Sequence, residues 1–443
     1  MDDTHRKDAV VRKSLKYSVL DGSAYAAMLG LSQNYFTPLA LALKATTGQI
    51  GLLTSIPNLI MGISQLAAPD LSEKAGSRKG IILPMVFLHA VMFIPICLVP
   101  FIFPNSQVWW LIAFVTIGTV AGAIPNPVWG SLMADLVPIR VRGRYFAFRN
   151  RIAGIISLVF SFIAGAILQI LTRTPFIGFA VLFGGAGAFR LLSMFFLSRM
   201  HEPPPAQREE KDRSLLRMAI NMGSTNIGKF TLFVSLVNFM TNIASPFFSV
   251  YMLSDLKFSY VTYTIVISAV SVASLIFVYF WGQRADFAGN IRVIKVTSFL
   301  VPIVPLLWLP SHNPYYLIFA QIFSGFAWSG FMLATVNFVY DVSEARDRTR
   351  YIALYNTFTS LAVFFGALIG GYLVPILPAL FGYRLLSLFT LSGILRLVVV
   401  IVFVRQMVEV RRVPSISISE FIAGRVNPSR LTRGNGSHYG NYR

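Results

Sequence analysis

The stretch ADLVPIRVRGRYFAFRN, Ala134 to Asn150, returns 206 positions later as YDVSEARDRTRYIALYN, Tyr340 to Asn356. Seven of the 17 positions are identical: Asp135 and Asp341, Arg140 and Arg346, Arg142 and Arg348, Arg144 and Arg350, Tyr145 and Tyr351, Ala147 and Ala353, Asn150 and Asn356. The same ungapped shift lays Gly165 on Gly371, Arg190 on Arg396 and Arg199 on Arg405. Apolar composition alone does not align rare charged residues in this way, so the chain is read as a tandem duplication. Near the start of each copy, at a shift of 208, Asn34, Thr37 and Pro38 match Asn242, Ser245 and Pro246.

Around these two polar stretches the chain is strongly apolar. Of its 443 residues 55% are hydrophobic and only 13% charged, about half the charged share of an ordinary globular chain. The mean hydropathy is +0.65. Uncharged runs such as Gly80 to Phe103, Ile152 to Leu171 and Phe258 to Trp281 reach the ~20 residues that a helix needs to cross a bilayer and are twice too long for outer-membrane strands. Twelve spans are predicted: Leu20 to Leu43, Ile50 to Leu71, Gly80 to Phe103, Val108 to Leu136, Arg149 to Leu171 and Phe176 to Leu197 in the first copy. The second copy holds Phe230 to Met252, Phe258 to Trp281, Ile291 to Leu309, Pro314 to Asp341, Tyr351 to Leu377 and Leu385 to Val404. The expected fold is all-α, a polytopic membrane protein of twelve transmembrane helices in two pseudo-symmetric six-helix bundles. Its expected parts are an N-tail over 1–19, bundles over 20–198 and 230–406, a linker over 199–229 and a flexible C-tail over 407–443.

The net charge of +20 is sorted by this topology, with 32 of the 38 Lys and Arg falling on one side. By the positive-inside rule that side, with both termini and the linker, is cytoplasmic, and the plasma membrane is the expected location. The first 19 residues are polar and basic with no cleavable apolar core, so the first span is expected both to target and to anchor. Aromatic residues do not accompany the charge in a base-stacking pattern, so nucleic acid is not an expected partner. Cys97 is the only cysteine, and neither a metal-ligand cluster nor a nucleophile-base-acid set appears in the spans. An enzyme is therefore not expected, nor any cofactor or metal.

Between the eighth and ninth spans stands Gly282-Gln-Arg-Ala-Asp286-Phe-Ala-Gly289-Asn-Ile-Arg292, and between the second and third Glu73-Lys-Ala-Gly76-Ser-Arg78-Lys79. Both resemble the Gly-x-x-x-Asp-x-x-Gly-x-Arg-Lys loop of the major facilitator superfamily, with Glu73 in place of Asp in the first and Ile291 in place of Arg in the second. Arg142-Gly-Arg144 with Glu202, and Arg348, Arg350 and Glu409 in the second copy, resemble the charge network of the superfamily's sugar porters, although longer sugar-porter signatures are absent. The resemblance implies alternating access, with Glu73, Arg78, Asp135, Arg142, Arg144, Glu202, Asp286, Arg292, Asp341, Arg348, Arg350 and Glu409 as gating residues. It also implies that helices 1, 4, 7 and 10 line a central path. Tyr25, Asn34, Asn126, Trp129, Asn242, Trp328 and Asn337 on those helices, with Tyr355 and Asn356 on the eleventh, are the candidate solute contacts. Amides and aromatics of this kind suit a neutral or amphipathic organic solute. Pro125 and Pro127 predict a bend in the fourth helix.

Four residues within or beside the spans have competing readings. Asp21, followed by Gly-Ser, reads as a helix cap. His89 reads as a packing residue rather than a proton relay. Arg190 and Arg396 read more readily as structural donors to backbone carbonyls than as an anion site. The expected partners are a small-molecule solute and the lipid bilayer, with proton or ion coupling left open and the chain monomeric. The alternative is a transporter-like protein acting as a sensor, an assembly factor or a lipid-handling protein.

Overall fold

The computed structural model describes residues 2–74, 77–138, 141–203, 218, 223, 225–342, 348–411, 413 and 421. Twelve successive helical units run antiparallel through it. In the first half they are α1 (Asp2–Ser32, resumed as Phe36–Ala42), α2 (Thr47–Lys74), α3 (Arg78–Ile102), α4 (Gln107–Ala123, resumed as Pro125–Leu136), α5 (Arg142–Ile170) and α6 (Pro175–Ser198). In the second half they are α7 (Asn226–Asn242, then Phe247–Val250 and the π turn Tyr251–Asp255), α8 (Tyr260–Ala288), α9 (Asn290–Leu300 and Ile303–Leu306), α10 (Pro314–Val342), α11 (Arg348–Leu373) and α12 (Arg384–Phe403). Most of the 199–229 linker and of the 407–443 tail lies outside the described residues.

Nine of the described helical stretches are long and apolar enough to cross a membrane. The other three units are α1, α2 and α9. α1 opens with a polar turn sequence and is interrupted at Gln33-Asn34-Tyr35, α2 carries Gln49, Thr54, Ser55, Asn58 and Ser64, and α9 is interrupted between Leu300 and Ile303. The outward faces are apolar, as bilayer contact requires: Phe87, Ile94 and Phe101 recur every seven residues on α3, and Ile394, Val398 and Ile401 follow one side of α12.

Helix interruptions follow the duplication. α1 turns at Asn34 and resumes over Pro38, while α7 turns just after Asn242 and resumes after Pro246. In both resumed segments proline falls at or near the first turn, where an N–H has no intrahelical partner to lose. Lys44 and Lys257 end α1 and α7 in the left-handed region, at φ 62° and 54°. α4 is interrupted at Ile124, immediately before Pro125, at the bend that the prolines predict. α1 differs from expectation, because the helix begins at Asp2 rather than near Leu20.

Two faces can now be distinguished: the basic face, where α1 begins and α12 ends, and the far face opposite it. Three large clusters make the core. One holds the far-face ends of both halves together, from Leu39, Phe93 and Leu182 to Phe247, Tyr251 and Phe389. The other two lie toward the basic face, and each is confined to a single half: Ile82, Val128 and Leu132 in the first, Phe230, Phe331 and Phe338 in the second. The halves share a core at one face and keep separate cores at the other.

Candidate functional site

At the basic face, the loops that carry the repeated motifs tie helix ends together within each half. Asp135, at the end of α4, receives Arg78 Nη2 at 2.6 Å. Glu202 caps the start of α3, accepting from Ser77 Oγ at 2.9 Å, Arg78 N at 2.5 Å and Lys79 N at 3.4 Å. A carboxylate there satisfies otherwise orphaned N–H groups and faces the positive end of the helix dipole. The second half repeats the plan with weaker chemistry. Asp341 accepts from the amide of Asn290 at 2.7 Å, and Glu409 accepts from Ile291 N at 2.8 Å. Gly289, at φ 87°, sits where a Cβ would lie 2.5 Å from Glu409 Oε2, so only glycine admits this capping carboxylate.

The remaining gating candidates are placed individually. Arg142 Nη2 donates to the carbonyls of Ala134 and Val137, closing the end of α4. Arg144 and Asp286 are exposed, and Arg350 is half-buried. Arg292 is half-buried as well, with Nη1 lacking a hydrogen-bond partner among the described residues. The side chains of Glu73 and Arg348 lie outside the described residues. The caps and pairs given above join helices of the same half rather than one half to the other.

At the far face a tyrosine from each half reaches into the other. The Tyr35 hydroxyl donates to the Ser161 carbonyl at 2.7 Å and lies 2.8 Å from the Thr264 hydroxyl across the divide. Tyr263 donates to the carbonyl of Asn34 at 2.8 Å, and its ring meets Tyr35 edge-on at 6.4 Å. Both tyrosines are fully buried. α5 approaches α8 so closely here that a Cβ on Gly165 would collide with the Thr264 side chain, and a Cβ on Gly51 of α2 would lie 2.5 Å from the Ala367 carbonyl of α11. Ser161, Tyr263 and Thr264 carry no sequence signal, since their role exists only across the packed interface.

Between the faces, the first half contains a buried ionic cluster. Asp21 lies inside the unbroken stretch Asp2–Ser32, so the capping reading is corrected: the helix does not start there. Its carboxylate accepts from Ser193 Oγ at 2.6 Å and stands 3.5 Å from Arg149 Nη2. Arg149 also donates to the Ser18 carbonyl at 3.1 Å, packs 4.4 Å from the Trp129 ring and passes over Gly22, where a Cβ would lie 2.7 Å from the guanidinium. Arg190 donates to Ser193 Oγ at 3.2 Å and lies 4.7 Å from the ring of Tyr25. Tyr25 and Trp129 are thus brought together around two arginines. The local sequence offered no pointer to Arg149, since its partners come from two other helices, α1 and α4.

The other solute candidates are dispersed. Asn34 sits at the far-face contact. Asn242 donates to the Asn238 carbonyl one turn back in its own helix, at 2.9 Å. Asn126 is exposed in the first turn of the resumed α4, and Asn337 is half-buried on α10. Trp328 and Tyr355 pack against the second half's own cluster. Asn356, beside Tyr355, is half-buried, and its carbonyl accepts from Thr359 Oγ1. His89 stacks on Phe93 at 5.5 Å and lies against Gly122. Arg396 donates to Ser392 Oγ and to the carbonyls of Val301 and Thr241, at 3.1, 3.4 and 3.3 Å, which supports its reading as a structural donor. Among the described residues no group of His, Cys, Asp and Glu is arranged to hold a metal ion.

Comparison with known proteins agrees with this architecture. Several solved structures share the fold. A mutant of the nucleoside transporter NupG superposes with a TM-score of 0.72 at 12% identity, covering 89% of this chain and 100% of that one. A bacterial homologue of the human lysosomal transporter Spinster, inward-facing and unoccupied, gives 0.65 at 14% identity, covering 95% and 99%. The human organic anion transporter MFSD10 gives 0.59 at 13%, covering 89% and 99%. No curated protein sequence matches closely enough to identify a relative. The Major Facilitator Superfamily model matches residues 22–239 and again 230–428, one match for each half. The chain therefore belongs to the Major Facilitator Superfamily of membrane transporters.

Proposed function

We propose that this transporter moves a small amphipathic organic solute across the plasma membrane by alternating access, with both termini cytoplasmic, and that the arrangement described is its cytoplasm-open state. The observation that carries the reading is the division of the core. At the far face the halves share one apolar cluster and the Tyr35–Tyr263 contact, whereas at the basic face each half keeps its own cluster. Two bundles that part at one face and meet at the other are suited to rocking about the middle. The bundle boundaries near 198 and 230, the cytoplasmic linker and the gating role of the basic-face residues belong to the same proposal. So do Tyr25, Asn34, Asn126, Trp129, Asn242, Trp328, Asn337, Tyr355 and Asn356 as contacts along the path, a monomeric working unit and room for proton or ion coupling. Relatives of the fold carry solutes as different as nucleosides and organic anions, so the fold alone does not select the substrate.

The far-face contact gives the test. Each hydrogen bond there is worth about 1 kcal/mol net. The pairing of Tyr35 to Thr264 is the part of its contact that crosses between the halves, and losing it moves a two-state population by about fivefold. In a Cys97→Ser background, spin labels at Lys44→Cys and Lys257→Cys report the separation of the far-face ends of α1 and α7. The variant Tyr35→Phe with Thr264→Val is expected to shift that separation to longer distances and to change solute counterflow in proteoliposomes. Unchanged distances, or no saturable flux across a broad panel of organic solutes, would contradict the reading.

A further inference from the structure

The cluster around Asp21 holds two guanidinium groups and one carboxylate, buried within the first bundle. Arg149 lies seven residues into α5, about 10 Å along the helix from its basic-face end. Arg190 is 5% exposed. Asp21 is shared: one oxygen is taken by Ser193, and the other stands 3.5 Å from Arg149. Among the described residues Arg190 meets no carboxylate directly. It donates to Ser193, and its Nε is buried without a hydrogen-bond partner among the described residues. A buried, uncompensated positive charge inside a membrane is costly, and such charges are retained where they pair with something.

The second half shows that an arginine at this position does not need spare capacity. Arg396, aligned with Arg190, has Nε, Nη1 and Nη2 all engaged by Ser392, Val301 and Thr241. The position aligned with Arg149 is Tyr355. Around Arg190 the first half gathers two arginines, leaves the Arg190 Nε without a partner among the described residues and sets each guanidinium against an aromatic ring, Trp129 for Arg149 and Tyr25 for Arg190. Rings on the guanidinium faces hold the planes and leave N–H edges for a bidentate anion. Trp129, Tyr25 and Arg149 are partly exposed, while Asp21 and Arg190 form a buried floor.

We propose that Arg149 and Arg190 seat the anionic group of the transported solute, a carboxylate or phosphate monoester on an apolar or aromatic body that packs on Trp129 and Tyr25. Asp21 is the internal counter-ion that the solute displaces. The proposal rests on the transport reading above and deepens it. The same anionic group could be presented by a soluble solute or by a lipid headgroup, and the experiment separates the two sources.

Binding to the purified full-length protein is measured by calorimetry with octanoate, benzoate and phenyl phosphate against their neutral counterparts octanamide, benzamide and phenol. A second arm uses phosphatidylglycerol against phosphatidylcholine in nanodiscs. At least one anion, in one of the two arms, is expected to bind about tenfold or more tightly than its neutral counterpart. Arg149→Gln is expected to abolish that preference and Arg149→Lys to retain part of it. Asp21→Asn is expected to increase it about tenfold, because Arg149 loses its internal partner. A gain of affinity cannot come from misfolding. Preference for soluble anions assigns the site to a solute, and preference only for phosphatidylglycerol assigns it to a headgroup. An anion preference that is absent in both arms, or equal in wild type and Arg149→Gln, or reduced by Asp21→Asn, overturns the site. Because the measurement needs no flux, selective anion binding without transport would remove the transport reading and leave the site. Flux without anion selectivity would do the reverse.

Discussion

Arg190 and Arg396 descend to the same place in two copies of one six-helix unit, yet they live in different surroundings. Arg396 is enclosed by backbone carbonyls where neighbouring helices are interrupted: Thr241 just before the turn in α7, and Val301 before Pro302 in α9. The helical donor to the Val301 carbonyl would come from position 305, which is a proline without an N–H, and the arginine fork supplies a donor there in addition to the 3.3 Å contact from Val304 N. Arg190 instead faces side chains: Ser193, the ring of Tyr25 and, through Ser193, the carboxylate of Asp21. One copy uses its arginine to complete interrupted helices, and the other uses it to build an ionic cluster. The duplication fixed the residue and left its task to the packing around it.

The largest expected effect tests this division directly. Arg396→Met removes three hydrogen bonds of a buried charged group, to Ser392, Val301 and Thr241, at an expected cost of about 3 kcal/mol. Arg190→Met leaves Asp21 its contacts with Ser193 and Arg149 and should cost about half as much. Thermal unfolding of the two variants in detergent checks the order, and a reversal would mean that Arg190 is the structural one.

A smaller difference is expected at the two capping carboxylates. Glu202 serves Ser77, Arg78 and Lys79, whereas Glu409 serves Ile291 and otherwise Val410 and Arg411 in its own turn. Glu202→Gln should cost about 1 kcal/mol and Glu409→Gln about half of that. Hydrogen exchange at the first turns of α3 and α9 would show the faster opening in α3, and equal exchange would erase the asymmetry.

The smallest effect concerns Asp135 and Asp341. Asp135 pairs with an arginine but is one-third exposed, so Asp135→Asn should cost no more than about 1 kcal/mol. Asp341→Asn keeps an oxygen for the Asn290 amide and should be near neutral. Raising the salt concentration should narrow the stability gap between wild type and Asp135→Asn while leaving Asp341→Asn unchanged, and an equal salt response would contradict the difference in pairing.

Much of the fold was legible because the duplicated loop carries rare residues at a constant spacing. Asp135, Arg78 and Glu202 came together as the motif implied, since loop chemistry at helix ends is local. Asp21 was misleading for the opposite reason. Asp-Gly-Ser resembles a cap, but the helix runs through it, and Arg149, which gives Asp21 its ion pair, lies 128 residues away. Proline was an incomplete guide: α3 continues through Pro84, Pro95 and Pro100, while α9 is interrupted at Pro302. The difference lies in the neighbour, since Arg396 is at hand to take the Val301 carbonyl. Tyr35 and Tyr263 were illegible as a pair because each acquires its partners only when the two halves close on each other.

The unbroken first stretch of α1 has a mechanical consequence. At 1.5 Å per residue its 31 residues extend about 46 Å, against a hydrocarbon layer of about 30 Å. One stiff rod therefore joins the start of α1 at the basic face to Asp21 and stops at the turn that presents Asn34 and Tyr35. A force applied at any of these stations is delivered to the others without passing through a flexible joint. α1 is thus a lever by which events in the ionic cluster can be felt both at the distant seal and at the start of the helix.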